Sequence, residues 1–212
     1  MEQILCKPVA ELQKDKSVRG VLLNGSRAEG CAAPGSDLDL LVLCDEDRFF
    51  AEWVDGLLVE THYITEQTAR EKLSRNPMEV YRYLDAKIQF DRGGLAELIV
   101  LAEERYQSYK TPEHERRRLA HWMESAALKL RVALETQDAL RANYIASTNA
   151  WQLLEAVWAT NNRPMPPASK AFRVQSTLEH VPFPGWFEQL FSHDAEEVAL
   201  TCFQWAADHL KR

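Results

Sequence analysis

Along the first half of the chain, short apolar runs alternate with segments of helical spacing. Val18 to Asn24 (V-R-G-V-L-L-N) is rich in valine and leucine and predicts a strand that ends at Gly25-Ser26. Asp37 to Cys44 (D-L-D-L-L-V-L-C) predicts a second strand, and Leu57 to Ile64, after the Asp55-Gly56 turn, a third. Ala86 to Phe90 reads as a short fourth. Between them, Pro8 to Lys16 predicts a helix with Pro8 in its first turn. Asp45 to Trp53 reads as a short helix capped by Asp45. Thr65 caps a helix to about Arg75, and Pro77 opens another to about Leu84. Asp91-Arg92-Gly93-Gly94 turns into a helix over Leu95 to Tyr106. This alternation predicts an α/β or α+β domain.

The second half carries no strand signal of comparable quality. Thr111-Pro112-Glu113 reads as N-cap, first-turn proline and first-turn acid. From there Leu119, Trp122, Met123, Ala126, Ala127, Leu130 and Leu134 recur at helical spacing. A second helix runs from about Asp138 to Thr160 and is broken by the Pro-rich segment that follows Asn161. Shorter helices follow, and Asp194 starts a final one. The change of pattern places a domain boundary near Lys110, giving an α/β half over 1–110 and a helical half over 111–212.

Composition sharpens the picture. The chain has 212 residues, 46% hydrophobic and 27% charged, enough to bury a core in one large domain or two small ones. Its net charge of −7 argues against duplex DNA or an anionic membrane as partner. A small phosphate ligand is compatible with it, because a metal supplies positive charge locally. Residues 1–110 hold 14 basic and 20 acidic side chains, so 14 − 20 = −6 of that charge lies in the first half. The four cysteines, Cys6, Cys31, Cys44 and Cys202, form no C-x-x-C pair and no zinc spacing. A reduced, cytoplasmic setting is expected. The N-terminus shows no signal-peptide pattern, and no apolar stretch approaches the ~18 residues of a membrane span.

The chemistry concentrates in Gly25-Ser26-Arg27 and Ser36-Asp37-Leu38-Asp39. Asp37 and Asp39, two apart on a strand, point to one face, so their carboxylates can converge on one ion or two adjacent ions. Two acids opening an apolar strand are costly unless compensated, and hard oxygen ligands favour Mg²⁺. Gly25 lets the backbone approach a ligand closely, and the Ser26 hydroxyl can hold a phosphate oxygen. Arg27 and Ser36 complete the candidate nucleotide-binding set; Arg27 reads equally as a solvated loop arginine. Glu60 shares a strand face with Leu58, His62 and Ile64. It can complete the metal site or accept a proton from an attacking hydroxyl. Glu155 is a second candidate base, on a helical face with Trp151, Leu154 and Trp158; its plain alternative is a rim carboxylate paired with an arginine.

Gly25-Ser26, ten residues, then Asp37-x-Asp39 and an apolar strand resembles the signature of the polymerase-beta-like nucleotidyltransferase superfamily. Glu60 is similar in chain position to that family's third carboxylate. The motif resemblance covers about Val18 to Ile64, and the helical half is similar in layout to antibiotic nucleotidyltransferases. The resemblance implies an α+β protein, with an N-terminal mixed-sheet core and a C-terminal helical bundle. It implies transfer of a nucleoside monophosphate, with AMP from ATP the first choice, to a hydroxyl, releasing pyrophosphate. Gly25 and Ser26 would hold the triphosphate, and Asp37 and Asp39 the Mg²⁺. The acceptor it suggests is a small molecule such as an aminoglycoside or lincosamide, with no long nucleic acid and no membrane as partner.

Three other readings stand beside this one. The acceptor can be a protein, as for minimal nucleotidyltransferases paired with helical toxins. The fold can serve as a non-catalytic nucleotide-binding regulator. A ribonuclease could use Arg116 with His121, or Arg173 with His180, on one helix; such spacings arise easily in an arginine-rich chain.

Overall fold

In a computed structural model the described residues are 2–193 and 195–211. The chain divides into two compact units, Met1–Ser108 and Tyr109–Arg212. The first contains β1 (Gly20–Asn24), β2 (Leu38–Leu43), β3 (Arg48–Val54), β4 (Leu57–Ile64) and β5 (Lys87–Asp91). Its helices are α1 (Glu2–Lys14), α2 (Gly25–Glu29), α3 (Glu66–Arg75), α4 (Tyr81–Leu84) and α5 (Leu95–Ser108), with a 3-10 turn at Pro77–Val80.

The strands form one sheet in the order β3-β4-β2-β1-β5. The β2–β4 pair is parallel and the other three pairs are antiparallel, so the sheet is mixed and the protein α+β. Side chains alternate across it. Val21, Leu23, Leu38, Leu40, Val42, Leu57 and Val59 join Val9 and Ala28 in a core on one face. Leu22, Leu41, Leu43 and Ile64 pack on the other face with Ala69, Leu73, Tyr81, Tyr83, Leu95 and Leu98, which come from α3, α4 and α5. β2 is central and buried on both faces beyond Asp39, and this fixes the position of its first two residues firmly.

Three sequence expectations are corrected. The segment from Asp45 to Trp53 is not a helix. Arg48–Val54 is an antiparallel strand paired with β4, and only Asp55-Gly56 separates Val54 from Leu57. Asp55 and Gly56 have φ of 51° and 80°, the left-handed pair that a two-residue hairpin demands. Aromatic side chains at Phe49, Phe50 and Trp53 suit a strand, so the hairpin overrides the acidic cap signal. Next, α1 runs from Glu2 and holds Pro8 in its interior, not its first turn. Finally, Pro112 is the N-cap of α6 (Glu113–Glu135), and Thr111 is buried, its Oγ1 donating at 3.1 Å to the carbonyl of Ala159 in α7 (Ala139–Thr160). That bond ties the start of α6 to the end of α7. The Thr65 cap is as expected: its side chain accepts from the Thr68 N–H ahead of α3.

The second unit consists of α6 (Glu113–Glu135), α7 (Ala139–Thr160), α8 (Ala168–Val174), α9 (Trp186–Leu190) and α10 (Glu196–Leu210). Asp138 caps α7 through the Arg141 N–H. Asp194, expected to open the last helix, lies outside the described residues. Leu119, Met123, Leu130, Leu153, Trp158 and Phe203 form the core of this unit. Arg116 donates to the carbonyls of Ala159 and His209, so its guanidinium joins α6 to the ends of α7 and α10. Among the described residues no helix is long and apolar enough to cross a membrane.

Candidate functional site

Strand register builds the site. Asn24 of β1 is opposite Asp39 of β2, and Asp39 is opposite Glu60 of β4. One row of residues therefore crosses three strands on the sheet face covered further along by α3, α4 and α5. Asp37 stands just ahead of β2, exposed, and joins the same group. Asp37, Asp39 and Glu60 each bring a carboxylate oxygen within 4.8 Å of the other two. Three hard oxygen donors this close can hold a divalent metal ion.

Without a counter-charge the cluster is electrostatically frustrated. Burial, reinforced by the negative charges of Asp37 and Glu60, pushes the Asp39 carboxyl up to about 6, while Arg82 pulls it down. A half-buried carboxylate held beside two others is the arrangement a cation relieves, so the residues present fit one.

Gly25 begins α2 directly after β1 and has φ of +66°. A Cβ at that position would collide with Asp39 Oδ2. The backbone conformation favours glycine here, and a Cβ would push the Asp39 carboxylate aside. Ser26 follows, half-buried, and its carbonyl accepts from the Cys31 N–H at 3.0 Å, closing the turn after α2.

Arg27 holds the protein's own backbone. Its Nε donates to the Asp37 carbonyl at 2.7 Å and to the Ser36 carbonyl at 3.2 Å. The guanidinium fastens the segment that presents Asp37 onto α2, which carries Ser26. Ser36 contributes that carbonyl, and its N–H donates to the Ala33 carbonyl at 3.1 Å.

Glu155 belongs to the helical unit. Trp151 Nε1 donates to its Oε1 at 3.1 Å, and Arg118 Nη2 lies 3.6 Å from its Oε2. It is a carboxylate paired with an arginine and an indole; the carboxylate group that converges is Asp37, Asp39 and Glu60.

Two features had no sequence signal. Arg82, on α4, is close enough to Asp39 and His62 for its charge to lower both, and its Nε lies 3.3 Å from Glu79 Oε1. No motif marks it, because the fold alone carries α4 over the strand ends. The second is the ring of Phe49, 4.6 Å from the ring of His62. His62 is held below its ordinary range, chiefly by burial and then by Arg82 and Lys72.

The nucleotidyltransferase domain family matches residues 5–132, more than half of the chain. The chain belongs to that family. The protein is therefore a transferase, and its family is consistent with the polymerase-beta-like resemblance of its motif. A nucleotidyltransferase-like protein from Exiguobacterium sibiricum 255-15 is similar in structure, at 15% identity and a TM-score of 0.43. The comparison covers 100% of this nucleotidyltransferase and 74% of that chain. None of the curated proteins compared with it matches.

Proposed function

We propose that this nucleotidyltransferase moves a nucleoside monophosphate, AMP from ATP in the first instance, onto a hydroxyl of a small molecule and releases pyrophosphate. The observation that carries the reading is the convergence of Asp37, Asp39 and Glu60 beside Gly25-Ser26, in a chain of this family.

Asp37, Asp39 and Glu60 would hold a divalent cation, taken as Mg²⁺ from the all-oxygen donor set. When bound, that cation neutralises charge on the phosphate oxygens. Gly25 and Ser26 lie against the triphosphate, the glycine permitting close backbone approach and the serine hydroxyl donating to a phosphate oxygen. Arg27 keeps Asp37 in register with Ser26. The acceptor oxygen forms a bond to the α-phosphorus as the bond to pyrophosphate breaks. Glu60 receives the hydroxyl proton. Glu60 is preferred to Glu155 as base because it is in the carboxylate cluster, while Glu155 is engaged with Arg118 and Trp151.

The acidic first half, −6 over residues 1–110, suits a cationic acceptor, and an aminoglycoside or lincosamide is the reading carried forward. The test incubates the protein with ATP, Mg²⁺ and a panel of aminoglycosides, lincosamides and bacterial lysate, following pyrophosphate and acceptor mass. A small molecule gaining one nucleotide supports the proposal. A labelled protein band alone replaces the small acceptor with a protein, and tight nucleotide binding without transfer replaces the enzyme with a regulator.

A further inference from the structure

The β3–β4 hairpin places an unusual surface next to the carboxylates. Ala51 of β3 is directly opposite Glu60, Phe49 is opposite His62 and Trp53 is opposite Leu58. Opposed residues on antiparallel strands share a face, and alternate residues of one strand do too. Phe49, Ala51 and Trp53 thus lie on the Glu60 side of the sheet, and the Phe49–His62 ring contact fits that placement. Yet Phe49 is 55% exposed and Trp53 73% exposed. The edge strand is uncovered on both faces, Phe50 on the other side being 52% exposed, and on the Glu60 face its two large aromatics flank a small residue at the row of the site.

The direction of the reaction gives this surface a use. The order across the sheet is β3, β4, β2, β1. Gly25-Ser26, assigned to the triphosphate, follow β1. Displacement at phosphorus runs in line, so the acceptor enters opposite the leaving pyrophosphate. Seen from the carboxylates, the side away from β1 is the side of β4 and β3.

We propose that Phe49 and Trp53, with Ala51 as the gap between them, form the acceptor platform, and that it takes a ring-shaped, hydroxyl-bearing cation of the amino-sugar type. This rests on the transferase reading above. The aromatic faces stack on the C–H face of the ring and attract its ammonium groups. The net charge of −6 over residues 1–110 supplies charge complementarity, and Ala51 leaves room for the hydroxyl to reach the Glu60 carboxylate. Trp53 adjoins the Asp55-Gly56 turn at an edge strand, so its substitution leaves the core intact.

The experiment follows the indole N–H resonance of Trp53, assigned by its loss in Trp53→Phe. Kanamycin, streptomycin and lincomycin serve as probes, each added with Mg²⁺ and a non-hydrolysable ATP analogue. Transfer is measured in parallel on wild type, Phe49→Ala and Trp53→Ala. The expected result is a saturable shift of the Trp53 resonance, and an acceptor KM raised roughly tenfold in each variant, with the ATP KM unchanged. An acceptor nucleotidylated without moving that resonance, or with an unchanged KM in both variants, overturns the platform and leaves the transferase reading standing. A shift without transfer to any probe keeps the platform and overturns the reaction. No shift with any probe, or a wild-type dimer that Trp53→Ala dissociates, overturns the platform by assigning the surface elsewhere.

Discussion

The backbone of Gly25 lies directly against the carboxylate of Asp39, with no room for a Cβ between them and a φ of +66° that favours glycine. The turn that leaves β1 and the acid on β2 are therefore one piece of structure. Gly25→Ala is expected to cost about 1–2 kcal/mol from left-handed strain and overlap, and to displace Asp39. Thermal unfolding measures the first effect. Titration with Mn²⁺ measures the second, with at least tenfold weaker binding expected; unchanged Mn²⁺ affinity removes the link between the two residues.

Asp39 works against the metal-free fold. Its folded pKa of about 6 is above the unfolded value, so its charge is easily tolerated in the unfolded chain and poorly in the folded one. The neutral carboxyl favours the fold below the unfolded pKa, and that advantage is lost as pH rises through about 6. Asp39→Asn should then raise the metal-free stability at pH 8 by on the order of 1 kcal/mol, discounted for partial solvent screening, and change little at pH 4. Added Mg²⁺ should stabilise wild type at pH 8 and not the variant. Equal unfolding temperatures of the two metal-free proteins at pH 8 would show that the cluster is not frustrated.

Arg27 is a positioning residue for Asp37. Its planar fork serves two adjacent carbonyls, Ser36 and Asp37, which a lysine ammonium cannot reproduce. Arg27→Lys is expected to weaken Mn²⁺ binding several-fold while the ATP affinity measured without metal holds. If Lys retains full Mn²⁺ affinity, the guanidinium is not what fixes Asp37.

Asp47 joins the β2–β3 connection to the start of α3: Oδ1 accepts from the Thr65 N–H at 2.7 Å and Oδ2 from the Thr68 hydroxyl at 2.6 Å. These bonds hold its carboxyl below the ordinary range. The stabilisation is present above the unfolded pKa and lost as pH falls through the lower folded one. Asp47→Ala is expected to cost about 1 kcal/mol at pH 7, with the gap to wild type narrowing as pH falls through the acid range. A gap that does not narrow assigns the effect to something other than the carboxylate.

The carboxylate site was legible in the sequence because its chemistry is local. Asp37 and Asp39 are two apart, Gly25-Ser26 end a strand, and alternation alone puts Glu60 on a defined face. What escaped depends on tertiary partners. Arg27 reads equally as a phosphate contact and as a solvated arginine until the Ser36–Asp37 backbone is brought against it. Arg82 reaches the site only because α4 packs over the sheet. Glu155 pairs with an arginine, as its plain alternative has it, but the sequence does not say that the arginine is Arg118 on the neighbouring helix. Arg48–Val54 is obscured for a different reason: Asp45 and the acids after it imitate a helix start, whereas the Asp55-Gly56 pair ten residues later makes the segment a hairpin strand. That hairpin turn carries the strand, and with it the aromatic ledge beside Glu60.

The most direct measurement is transfer from ATP labelled at the α-phosphate, with acceptor panel and Mg²⁺, comparing wild type, Asp37→Asn and Glu155→Gln. Label is expected on a small acceptor with wild type, to fall by at least about a thousandfold in Asp37→Asn, and to stay within a few-fold of wild type in Glu155→Gln. Transfer that survives Asp37→Asn would contradict the carboxylate cluster as the catalytic centre, and transfer lost in Glu155→Gln would contradict Glu60 as the base.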